Sequence, residues 1–292
     1  LLRFLFTDDV APNEKAAQVL AKAPEGYLGD AASTLESVEP WTAVGIAEAL
    51  GATTFPAYAH HPMIVGPDRQ PLSKRHGSTS VEAFRERGFL PEALVNYLAL
   101  LGWSWGEQDF FATPELIEHF DIARVSRNPA MFDTQKLEWM NNHYIQGLED
   151  DELAARCLHF LTAAGLSPEP VLLRRAMPLV KERMKTLTDS VELLRFLFTD
   201  DVAPNEKAAQ VLAKAPEGYP GDAASALESV EPWTAVGIAG ALDAVAGGAG
   251  LNRTKGWQPV RAAVTGSTVS PPLPESLELL GRERTLARLR TA

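Results

Sequence analysis

Apolar residues recur along most of the chain at intervals of three and four, the spacing that gathers side chains onto one face of an α-helix. In PEALVNYLALLG, Leu94, Tyr97, Leu98 and Leu101 share a face, Pro91 stands at a first-turn position and Gly102 supplies a stop. Thr79 and Glu82 have the spacing of a capping box for the helix before it. Thr113 and Pro114 begin another helix, with Glu115 and Glu118 near its front end. Asp150 and Asp151 cap one that runs through Leu153, Cys157, Leu158 and Leu161 to Gly165. Further on, Ser190 precedes VELLRFLF, Asp222 precedes AASALESV, and Trp233 opens an alanine-rich helix ending near Leu242. Strand character is confined to 55–65, with a second candidate at 261–265, and residues 243–256 read as a flexible or weakly helical connection. The pattern predicts a mainly α fold.

At 292 residues and 46% apolar content the chain can bury a sizeable core, and two units are expected. No run of about 18 apolar residues occurs, so no membrane span is expected. The opening LLRFLF is short and runs into Asp8 and Asp9, unlike a signal peptide, and a cytoplasmic location is expected. The lone Cys157 permits no internal disulfide, and with only His159 beside it no metal site is expected; a small apolar core residue is the simplest reading.

Residues 1–50 recur at 193–242, differing only at Leu28/Pro220, Thr34/Ala226 and Glu48/Gly240. Stacked repeat proteins place such units next to one another, whereas these copies are separated by 142 residues of unrelated sequence. A rearrangement or assembly join at Ala49 and Leu50 is the expected origin of the first copy.

The net charge of −11 belongs mostly to the copies, which carry 8 acids against 3 bases and 7 against 3. Elsewhere cations gather. Residues 172–187 hold Arg174, Arg175, Lys181, Arg183 and Lys185 against Glu182. Residues 251–292 hold Arg253, Lys255, Arg261, Arg282, Arg284, Arg288 and Arg290 against three glutamates. Local cation density governs contact with a polyanion, so an acidic protein can still grip one along such stripes; a solvated helix face is the alternative.

Between Gly66 and Gly77 the chain reads GPDRQPLSKRHG, turn chemistry followed by a hydroxyl, an ammonium and a guanidinium. Ser73, Lys74 and Arg75 are the set needed to hold phosphate oxygens and neutralise a departing pyrophosphate. A plain solvated turn is the alternative for the loop taken alone.

That loop is followed by GFLPEALVNYLALLGWS and FDTQKLEWMNNHYI, then by MPLVKERMKTLTD, QPVRAAVTG and SLELLGRERTLARL. From about residue 55 to the C-terminus, this succession resembles bacterial glutamyl-tRNA synthetase, a class I aminoacyl-tRNA synthetase. The resemblance implies helical stem-contact and anticodon-binding domains with a short remnant of the class I catalytic domain at the front. It divides the chain into the copy 1–50, a KMSKS loop and stem-contact region at 51–130, and an all-helical anticodon-binding part at 131–292.

LSKR would be the second class I signature, the KMSKS loop, with Lys74 catalytic and Ser73, Lys74 and Arg75 at the ATP triphosphate. Pro71 stands where the family usually has lysine. Arg183, Arg261, Ser270 and Leu273 would contact the anticodon, a fitting chemistry because splayed bases are read by arginine and by backbone-rich loops. The alternatives are that Arg183 caps a helix end and that Arg261 pairs with an acid such as Glu283. The implied activity is ATP-dependent attachment of glutamate to tRNA by a monomer, with tRNA(Glu), glutamate and ATP with Mg2+ as substrates.

The family's HIGH-type signature has no counterpart here. His60 and His61 are followed by Pro62, which bars a helix start of that kind. The portion binding glutamate and most of ATP is therefore expected to be missing, and a non-catalytic tRNA-binding module is the alternative function. Among the aromatics, Trp139 and Trp233 are expected as core anchors at helix starts, and Trp257 as the most exposed.

Overall fold

The computed structural model describes residues 62–72, 80–200 and 202–292, and these are mainly helical. Strand β1 (Ile64–Val65) pairs in parallel with β2 (Ala130–Met131), Ile64 opposite Ala130. Between them lie α1 (Val81–Glu86), α2 (Pro91–Ala99) and α3 (Thr113–His119). After β2 come α4 (Thr134–Gly147), α5 (Asp150–Ala163) and α6 (Pro170–Val180), then α7 (Asp189–Leu194) and α8 (Glu206–Ala213). The chain closes with α9 (Tyr219–Glu228), α10 (Ala235–Gly248), α11 (Arg253–Thr265), α12 (Leu273–Leu280) and α13 (Arg282–Thr291).

Helix α2 follows the periodic pattern, burying Leu94 and Tyr97 and starting on Pro91, but it stops at Ala99, two residues before Leu101. Leu98, assigned to the same face, is 40% exposed. The cap of α1 is Ser80, whose hydroxyl accepts from the Ala83 amide at 3.2 Å; Thr79 lies outside the described residues. Ser190 and Asp222 sit inside α7 and α9 rather than ahead of them. The alanine-rich helix begins at Ala235, capped by Thr234, and runs past Leu242 to Gly248.

Two expectations fail on length. Residues 261–265 are the last turn of α11, because the apolar run Ala262-Ala263-Val264 is buried on a helix capped at Asn252. The connection expected over 243–256 is two helix ends with a four-residue break, despite its glycines. Buried contacts of Ala246 and Val260 override the weak local propensity there.

The largest core runs from α5 and α6 through α9 to α13, around Leu161, Met177, Leu194, Leu227, Val264 and Leu277. Cys157 is fully buried in it, as expected. A second core under α1, α2 and α4 holds Phe84, Phe89, Tyr97, Phe132 and Met140. A buried amide ties the loop after α2 to α4. Asn96 accepts from the Phe111 amide at 2.8 Å and from the Tyr144 hydroxyl at 2.5 Å, and donates to the Asp109 carbonyl at 3.1 Å. Both the oxygen and the nitrogen of the Asn96 amide are paired, which is what makes a buried asparagine tolerable.

Candidate nucleic-acid interface

Helix α6 does not run on into α7. It tightens into a 3₁₀ turn at Lys181–Arg183, and Met184 drops fully buried into the core. Lys181 is held down, donating to the Leu148 carbonyl at 2.5 Å and pairing with Asp150 at 2.6 Å. Asn142 of α4 donates from Nδ2 to the carbonyls of Lys181 at 3.2 Å and Met184 at 2.7 Å. Its neighbour Asn141 donates to the Lys185 carbonyl at 2.6 Å and accepts from the Leu90 amide at 2.8 Å. Arg183 is the last residue of this fixed turn, exposed, with no hydrogen bond or ion pair to any described residue.

Helix α11 supplies the facing side. Gly266 ends it with φ +69°, and a Cβ there would come within 2.6 Å of the Val202 side chain and 2.8 Å of the Ala203 carbonyl. Only glycine fits both the backbone angle and the space. The chain then turns through Val269 to Pro272, where Arg261 reaches across and donates from Nη1 to the Ser270 hydroxyl, the Ser270 carbonyl at 3.4 Å and the Pro271 carbonyl at 2.9 Å.

Burial lowers the Arg261 pKa, and the positive charge of Arg183 lowers it further. Neither guanidinium has an ion pair with a described carboxylate, although Asp189 and Glu192 line the same cleft as Arg183, and the mutual repulsion is one that an incoming anion relieves. Arg183 also lines a cleft of about 290 Å³ with Lys185, Asp189 and Val269. Val269 is 62% exposed, an apolar surface beside the cations.

The structure sorts the two basic stripes. Lys185 pairs with Glu138 at 2.9 Å, Arg174 with Asp151 at 2.9 Å, Arg253 with Asp243 and Arg290 with Glu228. Arg282, Arg284 and Arg288 spend their guanidiniums on backbone carbonyls, Arg284 on Leu197 and Thr199, Arg288 on Val264 and Thr199. Most of the C-terminal stripe therefore ties helices together. Arg175, Arg183, Lys255 and Arg261 carry no carboxylate partner among the described residues, and Arg183 and Arg261 are the two brought together.

Of the residues singled out for the anticodon, Ser270 is 2% and Leu273 1% exposed. Both residues serve the loop and the core, so the exposed position of this loop is Val269, which sequence reasoning missed. An exposed valine between Thr268 and Ser270 has no periodicity to mark it. Arg261 takes the loop carbonyls rather than Glu283 as its partners, and Arg183 sits at the end of its 3₁₀ turn with the side chain free. Ser73, Lys74, Arg75, His60 and His61 lie outside the described residues.

Trp233 packs on the main core as expected, donating to the Leu277 carbonyl at 3.2 Å. Trp139 departs from expectation. It is 51% exposed on α4, against Phe110 at 4.9 Å, because the inward face of that helix is taken by Leu137, Met140 and Asn141. Trp257 is only partly exposed and lies under the Arg253 guanidinium at 4.9 Å.

This geometry meets two family models. Residues 152–292 match the anticodon binding domain, and residues 41–139 match the catalytic domain of tRNA synthetases class I (E and Q). The likeness is to a tRNA synthetase. A glutamate–tRNA ligase of Saccharopolyspora erythraea is 44% identical over 252 residues, covering 82% of this chain and 50% of the relative. One from Moorella thermoacetica is 40% identical over 247 residues, with the same coverage. The crystal structure of a glutamate tRNA ligase from Elizabethkingia meningosepticum in complex with its amino acid superposes with a TM-score of 0.70 at 27% identity, over 85% of this chain and 53% of that one. The chain thus spans about half the length of the relatives it matches. Among the described residues no single helix is long and apolar enough to cross a membrane.

Proposed function

We propose that this chain is the tRNA-holding portion of a glutamate–tRNA ligase, a class I enzyme that uses ATP with Mg2+ to attach glutamate to tRNA. The observation that carries the reading is that Arg183 and Arg261, neither in an ion pair with a described residue, lie close enough for the charge of one to act on the other, with exposed Val269 beside Arg183, within the segment matching the anticodon binding domain. Single-stranded anticodon nucleotides suit it, since their phosphates and base edges offer acceptors to guanidiniums and their bases offer flat faces to apolar side chains.

In this reading residues 51–130 carry the signature loop and the stem contact, and residues 131–292 hold the anticodon. The first copy of the repeat, 1–50, is additional to both. Ser73 and Arg75 grip the ATP triphosphate, and Lys74 stabilises charge on the departing pyrophosphate. Pro71 in place of the usual lysine weakens closure of that loop. The partner is tRNA(Glu), bound by one copy of the chain in the cytoplasm.

The test is a gel-shift titration of the purified chain with tRNA carrying a glutamate anticodon, run beside ATP–pyrophosphate exchange with glutamate. Salt-sensitive binding without exchange is the expected outcome for these 292 residues alone. Indifference to tRNA at low salt contradicts the proposal.

A further inference from the structure

We propose that Asn142 is a positioning residue for Arg183, and that the turn at residues 181–184 is built around it so that the backbone bearing one arginine with no side-chain partner is held in a fixed place. The inference rests on the tRNA-binding reading above.

A helix end leaves carbonyls without intrahelical partners. Where α6 gives way to its 3₁₀ turn, those carbonyls are bridged by one amide. Nδ2 of Asn142 donates to Met184 at 2.7 Å and to Lys181 at 3.2 Å, and Glu182 is 3.5 Å away. The carbonyls it bridges flank Arg183 in sequence. The other end of the amide is fixed too, since Oδ1 of Asn142 accepts from Gln146 Nε2 at 2.6 Å. The donor end is therefore the one aimed at the turn.

Arg183 itself contributes nothing to its own placement, because its guanidinium meets no acceptor among the described residues. Its direction comes from its backbone, and its backbone is held by Asn142 on one side and by the buried Met184 on the other. A turn left to sample backbone conformations loses affinity through the entropy of ordering it on binding. A partly buried asparagine that never touches RNA thus sets how well Arg183 is presented.

The test is a double-mutant cycle on tRNA affinity with Asn142→Ala, Arg183→Ala and the pair, using a transcript with a glutamate anticodon, with wild-type binding measured first. The expected result is a loss of roughly fivefold for Asn142→Ala that disappears in the Arg183→Ala background, the mark of a residue acting through another. Salt dependence gives an independent readout: Arg183→Ala lowers the slope, whereas Asn142→Ala leaves it unchanged, because no phosphate contact is deleted. Wild-type affinity in Asn142→Ala, or losses that multiply in the pair, overturn the positioning role while leaving tRNA binding intact. A wild-type chain that ignores the transcript overturns both. If the alanine variant does not fold, Asn142→Ser, which keeps one donor, is carried through the same cycle with the same criteria.

Discussion

Arg261 donates through one nitrogen, Nη1, to both the hydroxyl and the carbonyl of Ser270 nine residues further on, and the same nitrogen reaches the Pro271 carbonyl at 2.9 Å. A charged side chain of α11 thereby sets the shape of the loop leading into α12. Nε and Nη2 make no hydrogen bond to any described residue, so the guanidinium fastens the loop with one corner and keeps the rest for an anion.

Arg261→Ala removes a loop fastening and a cation together, whereas Ser270→Ala removes only part of the fastening. In the proposed interface Arg261→Ala weakens tRNA binding by about tenfold and lowers the slope of log affinity against log salt by about 1, if the guanidinium meets a phosphate. Ser270→Ala weakens binding by a smaller factor and leaves the slope alone. Filter binding across a salt series separates the two effects.

Gly88 has φ +80°, and a Cβ there would lie 2.7 Å from the Thr188 nitrogen and 2.8 Å from the Leu187 nitrogen. Its carbonyl accepts from the Leu187 amide at 2.9 Å, so the segment leading into α2 is laced to the one leading into α7. Gly88→Ala should destabilise by about 1–3 kcal/mol from backbone strain, with steric displacement of backbone added. Thermal unfolding against wild type checks it, and an unchanged melting temperature would count against this close approach.

Met177 is fully buried in the main core between α5 and α6. Met177→Ala leaves a cavity and should cost about 2–5 kcal/mol by chemical denaturation. Exposed Val236 on α10 has no such packing, and Val236→Ala should change stability by less than about 0.5 kcal/mol.

Burial pushes the Cys157 thiol up to about 11 from 9.0, the Ser190 hydrogen bond opposing it. The folded state therefore holds its proton more tightly than the unfolded one. Below pH 9 the thiol is protonated in both states and its contribution is fully present; between pH 9 and 11 the unfolded chain ionises first and that stability drains away. Alkylation at pH 8 should be slow in the native protein and fast in denaturant. The melting temperature should fall less between pH 9 and 11 in Cys157→Ala, which has no thiol to ionise.

Helical content was legible where burial and period agreed, as in α2, where Leu94 and Tyr97 are buried above the Pro91 start, and in α5, although Asp150 and Asp151, expected as its caps, lie inside its first turn behind Glu149. It was illegible where tertiary contacts override propensity. Residues 243–248 carry two glycines yet stay helical because Val245 and Ala246 pack against neighbours. The parallel pairing of Ile64 with Ala130 had no local signal, being two residues long and separated by three helices.

For the interface, residue type and charge alone did not separate Arg183 and Arg261 from the other stripe cations; the resemblance to the synthetase family did. Arg288 and Arg284 look identical in sequence and are taken up by backbone carbonyls. Which arginine is left over depends on where carbonyls and carboxylates fall in space. The asparagines holding the 181–184 turn lie about forty residues away and carry no motif of their own.

The central claim is that tRNA is held by cations that the fold leaves unpaired, Arg183 and Arg261 foremost. Its most direct measurement is the equilibrium affinity of the purified chain for tRNA with a glutamate anticodon, taken from low to physiological salt for wild type and Arg183→Ala. The account predicts binding that weakens steeply with salt, with a slope shallower by about 1 in the variant. Equal affinity and equal slope for the two proteins would contradict it.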